Sequence, residues 1–252
     1  MKNGRVTLLI ATVALIFFGF GCTPQPTDKK TMSFEKVSFE TADGVTIVGD
    51  HYAGPADGPA ALLLHMMPAT KESWREFASA LVDRGFGSVL AIDLRGHGES
   101  IRQGSEQLDY HDFSDEMHQS KIADVEAAVE WLKQRGADTE RLAVVGASIG
   151  ANLAIAYGAG HPEVPAVVAL SPGLDYHGVT TLDKMPDYTG REIFLAASEE
   201  DRVSFEADRE LASAAPSATL KELSDAGHGT TMFERVDGFM EEILTWLAER
   251  VN

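Results

Sequence analysis

The chain has 252 residues, with 21 lysines and arginines against 39 aspartates and glutamates, a formal net charge of −18. An acidic surface of that size repels nucleic acid and anionic membranes, which excludes both as charge-driven partners, while the length suffices for one α/β domain with a large core. Cys22 is the only cysteine, so an intramolecular disulfide and a cysteine-based metal site are excluded.

The first residues stand apart from any fold. Lys2 and Arg5 make a positive start, Val6 to Phe20 is nearly all apolar, and Gly21-Cys22 follows. This reads as a secretory signal, because a largely apolar stretch of 15 residues falls short of the ~20 that span a bilayer. A cysteine directly after the apolar core resembles a bacterial lipoprotein signal. That resemblance implies cleavage before Cys22, lipidation of its sulfur, and a membrane-anchored place in the cell envelope, on the periplasmic or extracellular face. An uncleaved anchor and simple secretion are the alternatives. Residues 1–21 are then signal, 22–31 a Pro-rich polar tether, and 32–252 the folded domain.

From Ser33 the pattern is regular. Phe34, Val37 and Phe39 lead to the turn signal Ala42-Asp43-Gly44 and on to Val45–Tyr52, an antiparallel pair. Ala60–Leu64 is a continuous apolar run, as a strand covered on both faces requires. Trp74, Phe77, Ala78, Leu81 and Val82 recur at helical spacing, and Gly87–Ile92 is another buried strand. Ile122, Val125, Ala128, Val129 and Leu132 form the next helical stripe. Leu142–Val145, Ala166–Leu170, Ile193–Ala197 and Ala218–Leu223 complete the strands, with helices expected over 205–214 and 232–250. Such alternation implies an α/β fold, a mainly parallel sheet with helices on both faces. The intervals 101–119 and 171–191 read as long loops at one rim, room for a short lid and a shallow, open site.

Gly146-Ala147-Ser148-Ile149-Gly150 joins the Leu142–Val145 strand to a good helix former. A serine between two glycines at such a joint is a nucleophile elbow. The turn is so sharp that its flanks carry almost no side chain, and glycine tolerates the dihedrals. The serine oxygen is held out at the sheet edge, beside the free N–H groups of a helix start.

With these residues the region after Thr31 resembles the α/β-hydrolase family, esterase-like and with a minimal cap. In that family nucleophile, acid and base follow in the order Ser, Asp or Glu, His. Ser148 is followed by Ile193–Ser198 and the acidic loop Glu199-Glu200-Asp201. Then comes Leu223-Ser224-Asp225-Ala226-Gly227-His228-Gly229. The resemblance implies Ser148 as nucleophile, Asp201 as acid, with Glu200 its main rival and Glu199 behind, and His228 as base. A serine hydroxyl needs a base to take its proton, histidine can return that proton, and a carboxylate fixes the imidazole tautomer.

The oxyanion hole needs backbone donors. The resemblance implies the N–H of Ile149 and a second from the loop after Leu64, where relatives commonly have His-Gly and this chain has His65-Met66-Met67-Pro68. Met67 matches the usual donor, with Met66 a lesser candidate and His65 a support for the loop. Asp93-Leu94-Arg95-Gly96-His97-Gly98-Glu99-Ser100 reads as a structured turn that ties down loops. The remaining histidines lack ligand spacing, and Asp109-Tyr110-His111-Asp112 is at most a weak metal candidate. There is no phosphate loop or dinucleotide fingerprint, so no cofactor and no metal are expected. The expected function is a serine carboxylesterase for small or short-acyl esters. Thioester, lactone or peptide cleavage on the same residues, or a non-catalytic ligand-binding lipoprotein, are the alternatives. Oligomeric state is open.

Overall fold

The turn at Ala42-Asp43-Gly44 closes an antiparallel pair, β1 (Glu35–Glu40) on β2 (Val45–Ala53), and Gly44 takes φ +81° there. The computed structural model describes Met1 and residues 33–251, so the apolar leader and Cys22 lie outside the described residues. The chain continues through β3 (Pro59–Leu64), α1 (Arg75–Asp83) and β4 (Ser88–Ile92). Then come β5 (Arg102–Gln103), β6 (Glu106–Gln107), α2 (Asp115–Gln119) and α3 (Ile122–Gln134). Next are β7 (Asp138–Ala147), α4 (Ile149–Gly160) and β8 (Ala166–Leu170). A small hairpin, β9 (Asp175–Tyr176) and β10 (Val179–Thr180), precedes β11 (Ile193–Ser198), α5 (Arg202–Ala214) and β12 (Thr219–Leu223). The chain closes with α6 (Met232–Arg235) and α7 (Phe239–Val251).

Among the described residues ten strands form the main sheet in the order β12-β11-β8-β7-β3-β4-β2-β5-β6, with β1 on β2. The strands from β12 to β4 run parallel, while β2 is antiparallel to β4. Strand residues alternate between two cores. Ala60, Leu62 and Leu64 pack under α3 and α4, whereas Ala61 and Leu63 face α1 and α7. The strand order reverses between β3 and β7, and crevices for ligands open at the carboxyl ends of such a switch point. The residues that follow β3 and β7 are the loop from His65 and Ser148.

Three stretches depart from the sequence expectations. Residues 101–119 are not one loop but the β5–β6 hairpin, a 3₁₀ turn at Tyr110–Asp112 and α2. Within 171–191, β9–β10 and the 3₁₀ helix Leu182–Tyr188 form a small cap pinned to α4. There the buried Asn152 donates to Val179 O (2.7 Å) and accepts from Gly173 N (3.0 Å), and the Tyr188 hydroxyl donates to Ile155 O (2.8 Å). The single helix expected over 232–250 is broken at Val236-Asp237-Gly238. Gly238, at φ +79°, lets α7 re-aim so that Phe239, Ile243 and Leu247 all bury against the sheet. Among the described residues no helix is long and apolar enough to cross a membrane.

Candidate active site

Ser148 stands between β7 and α4 at φ +55°, ψ −121°, a conformation that costs a non-glycine residue about 1–3 kcal/mol. Neighbours hold it there: its N–H donates to Leu170 O at 2.8 Å. A Cβ on Gly146 would meet the backbone of Gly150 and Ala151, and one on Gly150 would meet the carbonyl oxygens of Leu64 and His65. Gly146 therefore lets the start of α4 fold back on the end of β7, and Gly150 lets it press onto the end of β3. That contact sets Ile149, whose N–H belongs to the unpaired first turn of the helix, against the loop His65–Pro68.

The loop is braced from below by His65, which is fully buried. Leu94 N–H donates to its Nε2 (3.0 Å), so Nδ1 carries the proton and donates to Met66 O (2.9 Å). Burial pulls this imidazole down to about 4, which keeps it neutral. His65 thus braces the backbone. Met67 leans the other way, its sulfur 3.9 Å from the Nζ of the buried Lys121, and that ammonium meets His118 Nδ1 at 3.0 Å. Met66 points toward the histidine loop: a Cβ on Gly229 would lie 2.6 Å from its sulfur.

His228 follows β12. Its N–H donates to Thr231 Oγ1 at 2.9 Å. Gly229 N–H donates to Ser171 Oγ at 3.0 Å, and Gly229 packs beside Ala147, the residue before Ser148. The His228 Nδ1–H donates to Asp201 Oδ2 at 2.7 Å. Burial pushes the Asp201 carboxyl up, but the hydrogen bond and charge of His228 and the hydroxyls of Ser204 and Ser171 outweigh it. The net result lies below the usual carboxylate range. Ser148, Asp201 and His228, far apart in sequence, therefore converge on one end of the sheet.

Glu200 does something else. It accepts from the N–H groups of Asp225 (2.9 Å) and Gly227 (2.6 Å) and from the Ser198 hydroxyl, so it anchors the histidine loop instead of the ring. The Ser198 hydroxyl above all, with those two N–H groups, holds it at about 2. The Asp93–Ser100 turn is likewise a clamp. Asp93 pairs with the buried Lys71 at 2.8 Å, and Arg95 spans Asp43 (2.6 Å) and Asp124 (2.8 Å).

Sequence reasoning missed three side chains here. The Tyr176 hydroxyl lies 2.9 Å from Ser204 Oγ and also interacts with the Ser148 hydroxyl. Lys121 lies under the Met67 side chain. Asp208, on α5 behind Asp201, is buried with neither carboxyl oxygen hydrogen-bonded among the described residues. None shows a local motif, because each is defined by how its element packs in the fold and not by the residues beside it in sequence.

Asp208 makes stability depend on pH. Burial first, then the charges of Asp201 and Glu222, raise its carboxyl well above 3.8. The folded state thus holds this proton more tightly than the unfolded chain. Its contribution is full below about pH 4 and is lost as pH rises through the folded-state value. Asp208→Asn should therefore match the parent near pH 4 and exceed it by about 1–3 kcal/mol at pH 7. Urea unfolding across that range measures the difference; a gap that does not grow with pH would contradict the assignment.

The sheet order, the strained serine at the switch point and the Asp–His pair define the class, and the family model for the alpha/beta hydrolase fold matches residues 59–189. The chain belongs to the α/β hydrolase family. A thiohydrolase of Aspergillus aculeatus is 29% identical over 146 residues, 58% of this chain and 43% of that protein. Protein phosphatase methylesterase 1 of Mus musculus is 36% identical over 86 residues, 34% of this chain and 22% of that one. The chain thus spans less than half the length of these relatives. An esterase of Pyrococcus furiosus superposes with a TM-score of 0.70 over 88% of this chain and 94% of its own, at 19% identity. An α/β hydrolase of a Penicillium species gives 0.72 over 87% and 99%, at 16% identity. Such membership supports a hydrolase.

Proposed function

We propose that this protein is a serine hydrolase of small or short-acyl carboxylic esters, working through an acyl-enzyme on Ser148. The observation that carries the reading is the His228–Asp201 hydrogen bond of 2.7 Å on a loop packed beside a strained serine at a helix start. His228 Nε2 takes the Ser148 proton as Oγ attacks the ester carbonyl. The carbonyl π pair moves onto oxygen, where the N–H groups of Ile149 and Met67 receive it. Collapse breaks the bond to the alkoxy oxygen, which leaves as the alcohol with the proton from His228. Water, deprotonated by His228, then attacks the acyl-enzyme, and Ser148 leaves with that proton as the acid is released. Asp201 keeps Nδ1 protonated throughout and stabilises the imidazolium. No cofactor enters this chemistry.

Thioester cleavage is the second reading, favoured by the similarity to a thiohydrolase; sulfur replaces the alkoxy oxygen and the steps are unchanged. Cys22 lies outside the described residues. In this proposal it carries the lipid that anchors the enzyme in the cell envelope, which membrane fractionation of the full-length protein tests.

Full-length protein treated with a fluorophosphonate should carry one adduct, on Ser148, located by mass spectrometry, and Ser148→Ala should carry none. Ester and thioester substrates of one acyl group then separate the two readings by kcat/KM. A folded protein without an adduct would overturn both.

A further inference from the structure

Tyr176 enters the site from the cap and plays no part in the steps above. Its hydroxyl lies 2.9 Å from Ser204 Oγ and 3.5 Å from Ser171 O, and it interacts with the Ser148 hydroxyl. Its ring lies flat on Gly173, where a Cβ would come within 2.7–3.0 Å of three ring carbons. The hairpin that bears it is held from both ends. Asn152 fixes Gly173 and Val179, and Thr181 Oγ1 donates to Gly173 O at 2.7 Å. On the outer side His177 stacks on His118 with ring centroids 4.1 Å apart, and its Nδ1 lies 3.4 Å from Asp115. Gly178 rests on the Gln119 side chain. The phenol is wedged and cannot swing aside without loss of these contacts.

We infer that Tyr176 is the specificity-determining residue of the Ser148 site, the wall that limits the acyl group the serine can carry. The limit is steric and rests on the proposed acyl-enzyme. To react, the carbonyl carbon must come to ~3–3.5 Å from Ser148 Oγ, so whatever is attached to it fills the space beside that oxygen. Tyr176 already borders that space. The alcohol departs after the first step, whereas the acyl group stays bonded to Oγ until water releases it. It is therefore the acyl group that must fit against the phenol for the life of the intermediate. A polar hydroxyl tied to Ser204 suits a small acyl group and obstructs a long or branched one.

The test uses the full-length protein, first labelled with a fluorophosphonate to show Ser148 reactive, and two series of esters. One varies the acyl chain on a fixed alcohol; the other varies the alcohol on a fixed acetyl group. Tyr176→Ala should raise the ratio of hexanoate to acetate kcat/KM by roughly tenfold or more, since one methylene in a pocket is worth at least about tenfold. Tyr176→Phe keeps the ring and should keep the parental acyl profile within about threefold, well under the roughly tenfold worth of one methylene in a pocket. A role in folding alone would lower all substrates together and leave the ratio unmoved. If Tyr176→Ala does not fold, Tyr176→Leu carries the same comparison with a smaller shift. An unchanged acyl profile in a variant still labelled at Ser148, or a change confined to the alcohol series, overturns the inference. Failure of the parent protein to label at Ser148 instead overturns the acyl-enzyme reading beneath it.

Discussion

Asp201→Asn should lower kcat by about 10⁴-fold while the protein stays folded, an effect of the size known for loss of a triad carboxylate. The Asp201 carboxylate accepts the Nδ1–H of His228 at 2.7 Å, so in the proposed mechanism it decides which ring nitrogen is left to take the Ser148 proton. An amide at the same place can donate to Nδ1 and leave the proton on Nε2, where it cannot serve as base. Glu200→Gln is the informative control. Glu200 stands one residue away and binds the backbone of Asp225 and Gly227, so its amide variant, which keeps one of the two acceptor oxygens, should lose no more than about 10²-fold in kcat, the scale of a shifted and not a missing group. Steady-state kinetics on an activated ester, with circular dichroism for the fold, measures both. Equal losses at the two positions would make the acid assignment wrong.

Gly150→Ala should cost about 2–4 kcal/mol of stability, more than an ordinary overpacked core site, because the added carbon meets backbone. It would press on the Leu64 and His65 carbonyl oxygens, and neither can rotate away without opening β3 from β7. Activity should fall along with stability, since the same shift separates Ile149 from the loop that bears Met67. Gly160, in the last turn of the same helix, has open space around it. Gly160→Ala should be neutral or gain up to about 1 kcal/mol from helix propensity. Urea midpoints for the two variants test the contrast, and equal stabilities would refute the close-approach account of Gly150.

Much of this molecule was legible from its residues one segment at a time. Continuous apolar runs gave β3, β4 and β8 because a strand buried on both faces has no polar position to show. The Gly-Ala-Ser-Ile-Gly joint marked Ser148, since a turn that sharp restricts what its neighbours can be. Order along the chain then brought Asp201 and His228 forward as candidates. The α/β fold, too, follows from local alternation of strand and helix.

Tertiary structure decided what depends on direction. Glu200 and Asp201 are adjacent carboxylates in one loop, equal by composition; only the path out of β11 turns Asp201 to the imidazole and Glu200 to the backbone of the histidine loop. The break at Val236–Gly238 lies in a stretch whose apolar spacing continues, and the need to lay α7 along the sheet overrides it. Tyr176 owes its setting to Ser148 and Ser204, both distant in sequence, and Asp208 owes its own to burial of α5 against the sheet beside the acid loop and Glu222. Sequence spacing carries local periodicity and strain. The orientation of a hydrogen bond and the desolvation of a carboxyl arise only when distant segments are packed together.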